Sequence, residues 1–293
     1  MGLIDLSGEG PFSTLGRWAD KQSILNKRRY VLHQRTLALL GVISTGVSLA
    51  EIPGQRYLLS ASLGLMAVLS LMSIASTRER NWYLLRALAE SIKSLEWRIM
   101  MGLFGSDSNL AESRLQELWT SFRDDLPADL RIDAVSAIIP GEMTSICDQG
   151  STMSHEEKKS RYLSDRITSQ RTWYSGKARQ HVSRWTRLKG GTASALALVL
   201  ILVLADRWLQ STVPVMLAIV AFLNAENTTA QNGTVAVAYS VASEELVEIE
   251  RQMEKIAEPD WAQFVGDSEE SISREHVSWR VSRGVAKGQI GGV

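Results

Sequence analysis

Four uncharged, apolar blocks constrain this chain more than any other feature. The first runs from Thr36 to Ala50, the second from Tyr57 to Thr77, the third from Gly190 to Ala205 and the fourth from Trp208 to Ala225. They come in two pairs, joined only by Glu51–Arg56 and by Asp206–Arg207. A helix needs about 20 residues to cross the hydrocarbon core of a bilayer. The second and fourth blocks meet that length. The first and third are short, and must draw on flanking residues or thin the bilayer locally. Tyr57, Trp82, Tyr83, Trp185 and Trp208 stand at block edges, where interfacial aromatics belong. Four buried helices of a soluble bundle would leave both the tight pairing and the aromatic edges unexplained. The expected fold is all-α and integral to a membrane, with two transmembrane helical hairpins and long cytoplasmic helices.

Basic residues set the orientation, because cytoplasmic flanks carry an excess of Lys and Arg. Lys27, Arg28, Arg29 and Arg35 precede the first block, and Arg78, Arg80 and Arg86 follow the second. Arg184, Arg187 and Lys189 precede the third, while the hairpin tips hold only Arg56 and Arg207. Both tips are therefore expected outside and both termini in the cytoplasm, with the chain multi-pass in its membrane. On this topology the Asn227-Thr-Thr and Asn232-Gly-Thr triplets are cytoplasmic and not glycosylation sites. The first block starts after 35 residues, too late for the apolar core of a signal peptide.

Charge and chemistry exclude several functions. Lys+Arg and Asp+Glu are both 32, which argues against nucleic acid as a partner. The single cysteine, Cys147, can form no intrachain disulfide and fits a reducing compartment. His33, His155, His181 and His276 are scattered, with no metal-ligand spacing, and neither a phosphate loop nor a nucleophile elbow is present. The reading is therefore not an enzyme, with no catalytic residue, no cofactor and no metal. The block interiors carry no charge, which disfavours an ion-coupled transporter. They do carry small residues, and Ser60 and Gly64, four apart, are expected to let helices approach closely.

Outside the blocks the periodicity is helical. Leu84, Leu88, Ile92, Leu95 and Ile99 recur at steps of four, four, three and four, one face of a helix. His155 to Lys189 contains no Pro and reads as one long helix feeding the third block. Val235, Tyr239, Ala242, Leu246, Ile249, Met253 and Ile256 alternate in steps of four and three, a packing seam of coiled-coil type. Glu244 to Glu270 holds ten acids and two bases, read as a solvated face that like charge keeps off the membrane. The expected organisation is a first unit over 1–123 with its hairpin at 36–77 and a linker over 124–153. A second unit follows over 154–283 with its hairpin at 190–225, then a disordered tail over 284–293.

The residues flanking the hairpins carry a resemblance. Arg80-Asn81-Trp82, Arg86-Ala87-Leu88-Ala89-Glu90-Ser91-Ile92-Lys93 and Trp97-Arg98 follow the first pair of blocks. Arg161-Tyr162-Leu163, Arg166-Ile167, Gln170, Trp173-Tyr174 and Lys177-Ala178 precede the second, and Arg274-Glu275-His276 with Trp279 stands near the C-terminus. This resembles the SLATT superfamily of bacterial two-helix membrane domains, two in tandem over about residues 20–285. The resemblance implies a membrane effector of nucleotide-signalled bacterial defence that forms a pore or disrupts the membrane. It also implies lipid contact, a homo-oligomer, and a nucleotide second messenger or nucleotide-sensing protein as partner. It assigns structural or signalling roles to Arg86, Glu90, Trp97, Arg166, Gln170, Trp173 and Tyr174. It further suggests a shielded pair between Glu90 and Arg166, covered by Trp97; along the helix, Arg86 and Lys93 are the other partners in reach of Glu90. The rival functions are a membrane anchor or scaffold that recruits a cytosolic partner through the Val235–Ile256 seam, and a small-solute transporter.

The topology has a direct check. With Cys147 replaced by Ser, a cysteine at Gln55 should react with an impermeant thiol reagent on intact cells, and one at Gln289 should not. The reverse pattern overturns the orientation.

Overall fold

The computed structural model describes residues 13–50, 52–204 and 211–282. Glu51, Asp206, Arg207 and the 284–293 tail, which entered the topology above, lie outside the described residues. Every element among the described residues is a helix. In chain order these are α1 (Thr14–Leu49), α2 (Gln55–Ala75), α3 (Arg78–Met100), α4 (Ser108–Arg123), α5 (Ala128–Val135), α6 (Glu142–Thr152) and α7 (His155–Arg161). A π-helical segment, Tyr162–Thr168, leads into α8 (Ser169–Val203). Then come α9 (Val213–Ala230), α10 (Asn232–Met253), a 3-10 turn (Glu258–Asp260) and α11 (Trp261–Ser282).

Local chemistry starts and stops these helices. Asp107 accepts from the Leu110 amide at 3.0 Å and caps α4. Ser154 and Glu157 form a reciprocal capping box at the start of α7, with the Glu157 carboxylate 2.7 Å from the Ser154 amide. Gly102 (φ 95°) takes the left-handed conformation that ends α3, where a side chain would be strained. Gln231 (φ 46°) is the non-glycine residue with positive φ among the described residues, and it separates α9 from α10.

The chain forms two compact units. The first comprises the described parts of Met1–Asn26, Glu79–Gly176 and Ala238–Val293. Its central helix is α3. Leu84, Leu88, Ile92, Leu95 and Ile99 are all buried, as the periodicity predicts, but so are Glu90, Lys93, Glu96 and Trp97 on its other sides. Residues 124–153, read above as a linker, hold α5 and α6. Leu130, Ala134, Met143, Ile146 and Cys147 of these helices lie in the core. A Cβ on Gly150 would stand 2.4 Å from the Met100 carbonyl oxygen, so α6 approaches the end of α3 as closely as only glycine permits. Of the seam residues, Leu246, Ile249 and Met253 are buried in this core, and Tyr239, Ala242 and Ile256 pack against it.

The second unit comprises Lys27–Arg78 and the described parts of Lys177–Val237. Polar side chains tie its helices together. Ser44 bonds Ser62 at 2.9 Å, the His33 ring meets the Leu69 carbonyl at 3.0 Å, and Gln34 donates to Ser73 at 3.2 Å, all joining α1 to α2. Glu226 of α9 takes Arg35 of α1 through two contacts, 2.8 and 3.0 Å, and Arg184 of α8 at 2.8 Å. Within this chain no helix packs against Ser60 and Gly64: Ser60 is exposed, and a Cβ on Gly64 would meet open space. Gly41 faces Met66 and Gly191 faces Leu223 at ordinary contact distance.

Three of the helical runs are long and apolar enough to cross a membrane, over Gln55–Met100, His155–Val203 and Val213–Met253. The most apolar window of the first has no buried residue. Leu58, Leu63, Leu65, Val68, Leu71, Met72 and Ile74 of α2 all face outward, and so do Leu196, Leu198, Leu200 and Ile201 of α8. A continuous apolar exterior of this kind is what hydrocarbon, rather than water, accommodates. α1 is not among the three; its uncharged part begins only at Thr36.

A buried charged core as the candidate functional site

All seven residues singled out by the resemblance lie in the first unit, on α3, the π segment and the start of α8. They gather in two linked clusters, and the partners are not all those expected.

The first cluster is built on Arg166. Its guanidinium forms a fork with Glu269 of α11, Nε to Oε1 at 2.8 Å and Nη2 to Oε2 at 2.7 Å. The side chains are 1% and 0% exposed. The Tyr162 hydroxyl donates to the same carboxylate at 3.0 Å. Trp97 and Trp261 each meet the Tyr162 ring edge-on at 5.8 Å, and so shield the pair. Burial alone would strip charge from Arg166, but the Glu269 carboxylate overrides it and holds the guanidinium protonated. Burial, reinforced by the same carboxylate, pushes the Tyr162 phenol well above its ordinary range. The shielded pair suggested for Glu90 forms with Arg86, while Arg166 takes Glu269, and the charge of Glu90 still reaches Arg166.

The second cluster is built on Arg86. Its Nη1 contacts Asp20 of α1 at 2.9 Å and its Nη2 contacts Glu90 at 2.5 Å, one helical turn along α3. The guanidinium lies 6.0 Å from the Trp173 ring centre. Trp173, Tyr174 and Tyr239 meet one another at 5.0–5.5 Å, edge-on or tilted. Burial raises the Asp20 pKa, and Arg86 opposes that. Glu90 is 7% exposed, so this i, i+4 pair is not the solvated kind. Gln170, 6% exposed, lies one helical turn beyond Arg166.

Between these clusters stand Lys93 and Glu96, 4% and 2% exposed. Burial and the neighbouring Arg166 push Lys93 well below its ordinary pKa, against the pull of Glu269 and Glu96. Burial pushes Glu96 up to about 7, opposed by hydrogen bonds from the Ser13 amide and hydroxyl and by Lys93, and reinforced by Glu142. Glu142 itself receives the Thr14 amide at 2.9 Å and the Thr14 hydroxyl at 2.6 Å. The first turn of α1 is therefore seated on two carboxylates, where the positive end of the helix dipole belongs.

Sequence reading missed Asp20, Glu96 and Glu269. Glu269 lay in the acidic run assigned to solvent, and its neighbour Glu270 is indeed exposed. The one available signal was position, since Glu269 falls four residues after Val265 and three before Ile272, both buried. Cys147 is buried, its thiol 3.4 Å from the Gly105 carbonyl, and burial raises its pKa; it is no nucleophile as it stands. No group of three or more His, Cys, Asp or Glu among the described residues is arranged to hold a metal ion.

A helical core carrying interlocked buried charges, with long apolar helices exposed beside it in sequence, defines a membrane-associated helical protein. The chain belongs to the SLATT superfamily: residues 14–148 match the SMODS and SLOG-associating 2TM effector domain 3, and residues 162–279 match the SMODS and SLOG-associating 2TM effector domain 1. Two such domains stand in tandem. No curated protein and no solved structure matches the chain.

Two measurements check this core. Removing one partner of a buried pair costs about 3–5 kcal/mol. Glu269→Gln should lower the stability of the first unit by that order, and adding Arg166→Gln should restore part of the loss. Strictly additive effects in a double-mutant cycle would mean that the fork carries no coupling. For Glu96, the folded pKa is about 7 against a usual 4.5, so the folded state binds more protons between those values. Its contribution is full below pH 4.5 and is lost as pH rises through 7. At about 1.4 kcal/mol per unit, the loss is of order 3 kcal/mol. Glu96→Gln should flatten the fall in melting temperature between pH 5 and pH 8, and should be more stable than the parent at pH 8.

Proposed function

We propose that this chain is a non-enzymatic membrane effector that permeabilises the bacterial inner membrane in nucleotide-signalled defence, as an oligomer, with both termini cytoplasmic and two hairpins in the bilayer. The observation that carries the proposal is the apolar exterior of α2 and of the end of α8, which water would not tolerate. The uncharged spans of one chain offer little to line an aqueous path, so several copies are needed. α1 would complete the first hairpin by using its flanking residues to reach across. The anchor reading loses its docking surface, since Leu246, Ile249 and Met253 of the seam are taken up by the chain's own core.

The test is reconstitution of the purified full chain into liposomes loaded with a self-quenching dye and with potassium. Permeabilisation that rises more steeply than linearly with protein density supports the oligomeric effector. Saturable uptake of one solute without dye release would favour transport. No change in permeability, with or without a nucleotide synthase product, would favour the anchor.

A further inference from the structure

The first unit leaves one apolar face of α5 bare. Ile132 and Val135, 71% and 60% exposed, are the two most exposed large apolar side chains among the described residues of this unit. They stand three apart and share a face, which the exposed Ala128 extends by one turn. Leu130 and Ala134 lie on the opposite face, in the core. Ile139, four residues after Val135, is 46% exposed. Exposed apolar side chains are ordinary when scattered; gathered on one face, they mark a surface that something covers. Arg131 borders the face on one edge, Asp129 and Asp133 on the other.

We propose that the run Leu3-Ile4-Asp5-Leu6, upstream of α1, covers this face of α5. The start of α1 fixes where that run comes from. Glu142, at the start of α6, receives the Thr14 amide at 2.9 Å and the Thr14 hydroxyl at 2.6 Å, and Glu96 receives the Ser13 amide. The chain before Ser13 therefore enters the unit beside Glu142. Two turns lead from α5 to that residue. The Ile138 amide donates to the Val135 carbonyl at 3.3 Å, and the Glu142 amide donates to the Ile139 carbonyl at 3.5 Å. The ends of a turn lie within about 7 Å and successive Cα atoms about 3.8 Å apart, so Val135 stands at most about 18 Å from Glu142. Leu6 is eight residues before Thr14 and, extended, reaches about 26 Å. The run offers three large apolar side chains to Ile132, Val135 and Ile139, and its one charge, Asp5, is opposite in sign to Arg131 at the edge of the face. A segment tethered this close meets the face at roughly millimolar effective concentration, an advantage no separate molecule has.

The test uses the full chain in neutral detergent, with Cys147→Ser and Val135→Cys, the new thiol carrying benzophenone maleimide. Unlabelled and heavy-isotope-labelled protein are mixed, irradiated and digested with trypsin. Mass spectrometry then separates links within one chain from links between copies. A link from α5 to the Met1–Arg17 peptide, within one chain and at a yield independent of protein concentration, supports the proposal. Ile4→Asp combined with Leu6→Asp should lower that yield about tenfold or more and speed amide exchange in α5, because two apolar side chains then leave the face. Ile132→Ser, on the other side of the contact and exposed in the fold, should lower the yield without unfolding the unit. Links between copies only, links to other segments or to detergent only, or a yield that neither variant changes would each overturn the proposal. None of these outcomes depends on whether the chain permeabilises liposomes.

Discussion

The first unit is organised by the fork between Arg166 and Glu269. Two charges with essentially no exposure cannot be held in a protein interior unless each answers the other. Their desolvation consumes much of what their attraction provides, so the pair is better understood as a constraint than as a source of stability. The fork joins the π segment to α11, and Tyr162, Trp97 and Trp261 pack around it. The π segment itself fits this arrangement. A π turn displaces the following residues relative to an α-helical continuation, and such turns recur at functional positions. Here it brings Tyr162 and Arg166, four apart in sequence, onto the same carboxylate.

The second unit shows a different balance. Its helices face outward with apolar side chains and meet one another through serines, glycines and a few long polar side chains. Between helices in lipid there is no hydrophobic gain from association, so close packing and isolated hydrogen bonds such as Ser44–Ser62 have to hold the assembly. Arg35, Glu226 and Arg184 add a charge bridge across three helices at the end where the bases cluster. In this chain one unit has a dense core of buried charge, and the other an apolar surface with sparse polar ties.

What the sequence disclosed follows from what each signal measures. The uncharged blocks and the four-and-three spacing of Leu84 to Ile99 are averages over many residues; three of the apolar runs lie in helices long enough to cross a membrane, and Leu84 to Ile99 line a buried face. The seam from Tyr239 to Ile256 was equally legible as a helix face, but periodicity does not say what covers a face, and here the chain covers most of it. Charge partners are a different matter. Glu90 was visible as a carboxylate near an arginine one turn away, whereas Glu269 and Arg166 are 103 residues apart, and only the tertiary fold brings them together. The acidic run around Glu269 misled for the same reason: composition describes the segment, while burial selects one member of it. The 124–153 stretch looked like a linker because Pro127, Pro140 and Gly141 interrupt it, yet its two short helices supply core residues between those breaks.

The charged core also has an arithmetic that bears on how such a unit could respond to a signal. Asp20, Glu90, Glu96 and Glu269 face Arg86, Lys93 and Arg166 in the same interior. The four acids named outnumber the three bases by one. Passing a proton from Lys93 to Glu96 leaves that sum unchanged, and both are displaced in the direction that makes such a neutral pair accessible. Taking up one further proton while Lys93 stays charged balances the named groups, and Glu96 is the acid whose raised pKa permits this near pH 7. Glu96, with a pKa of about 7, receives the amide of Ser13, the residue just before α1. The start of α1 is thus tied to the acid whose protonation changes near pH 7. α1 is also the helix whose later residues, from Thr36 onward, form the first apolar block.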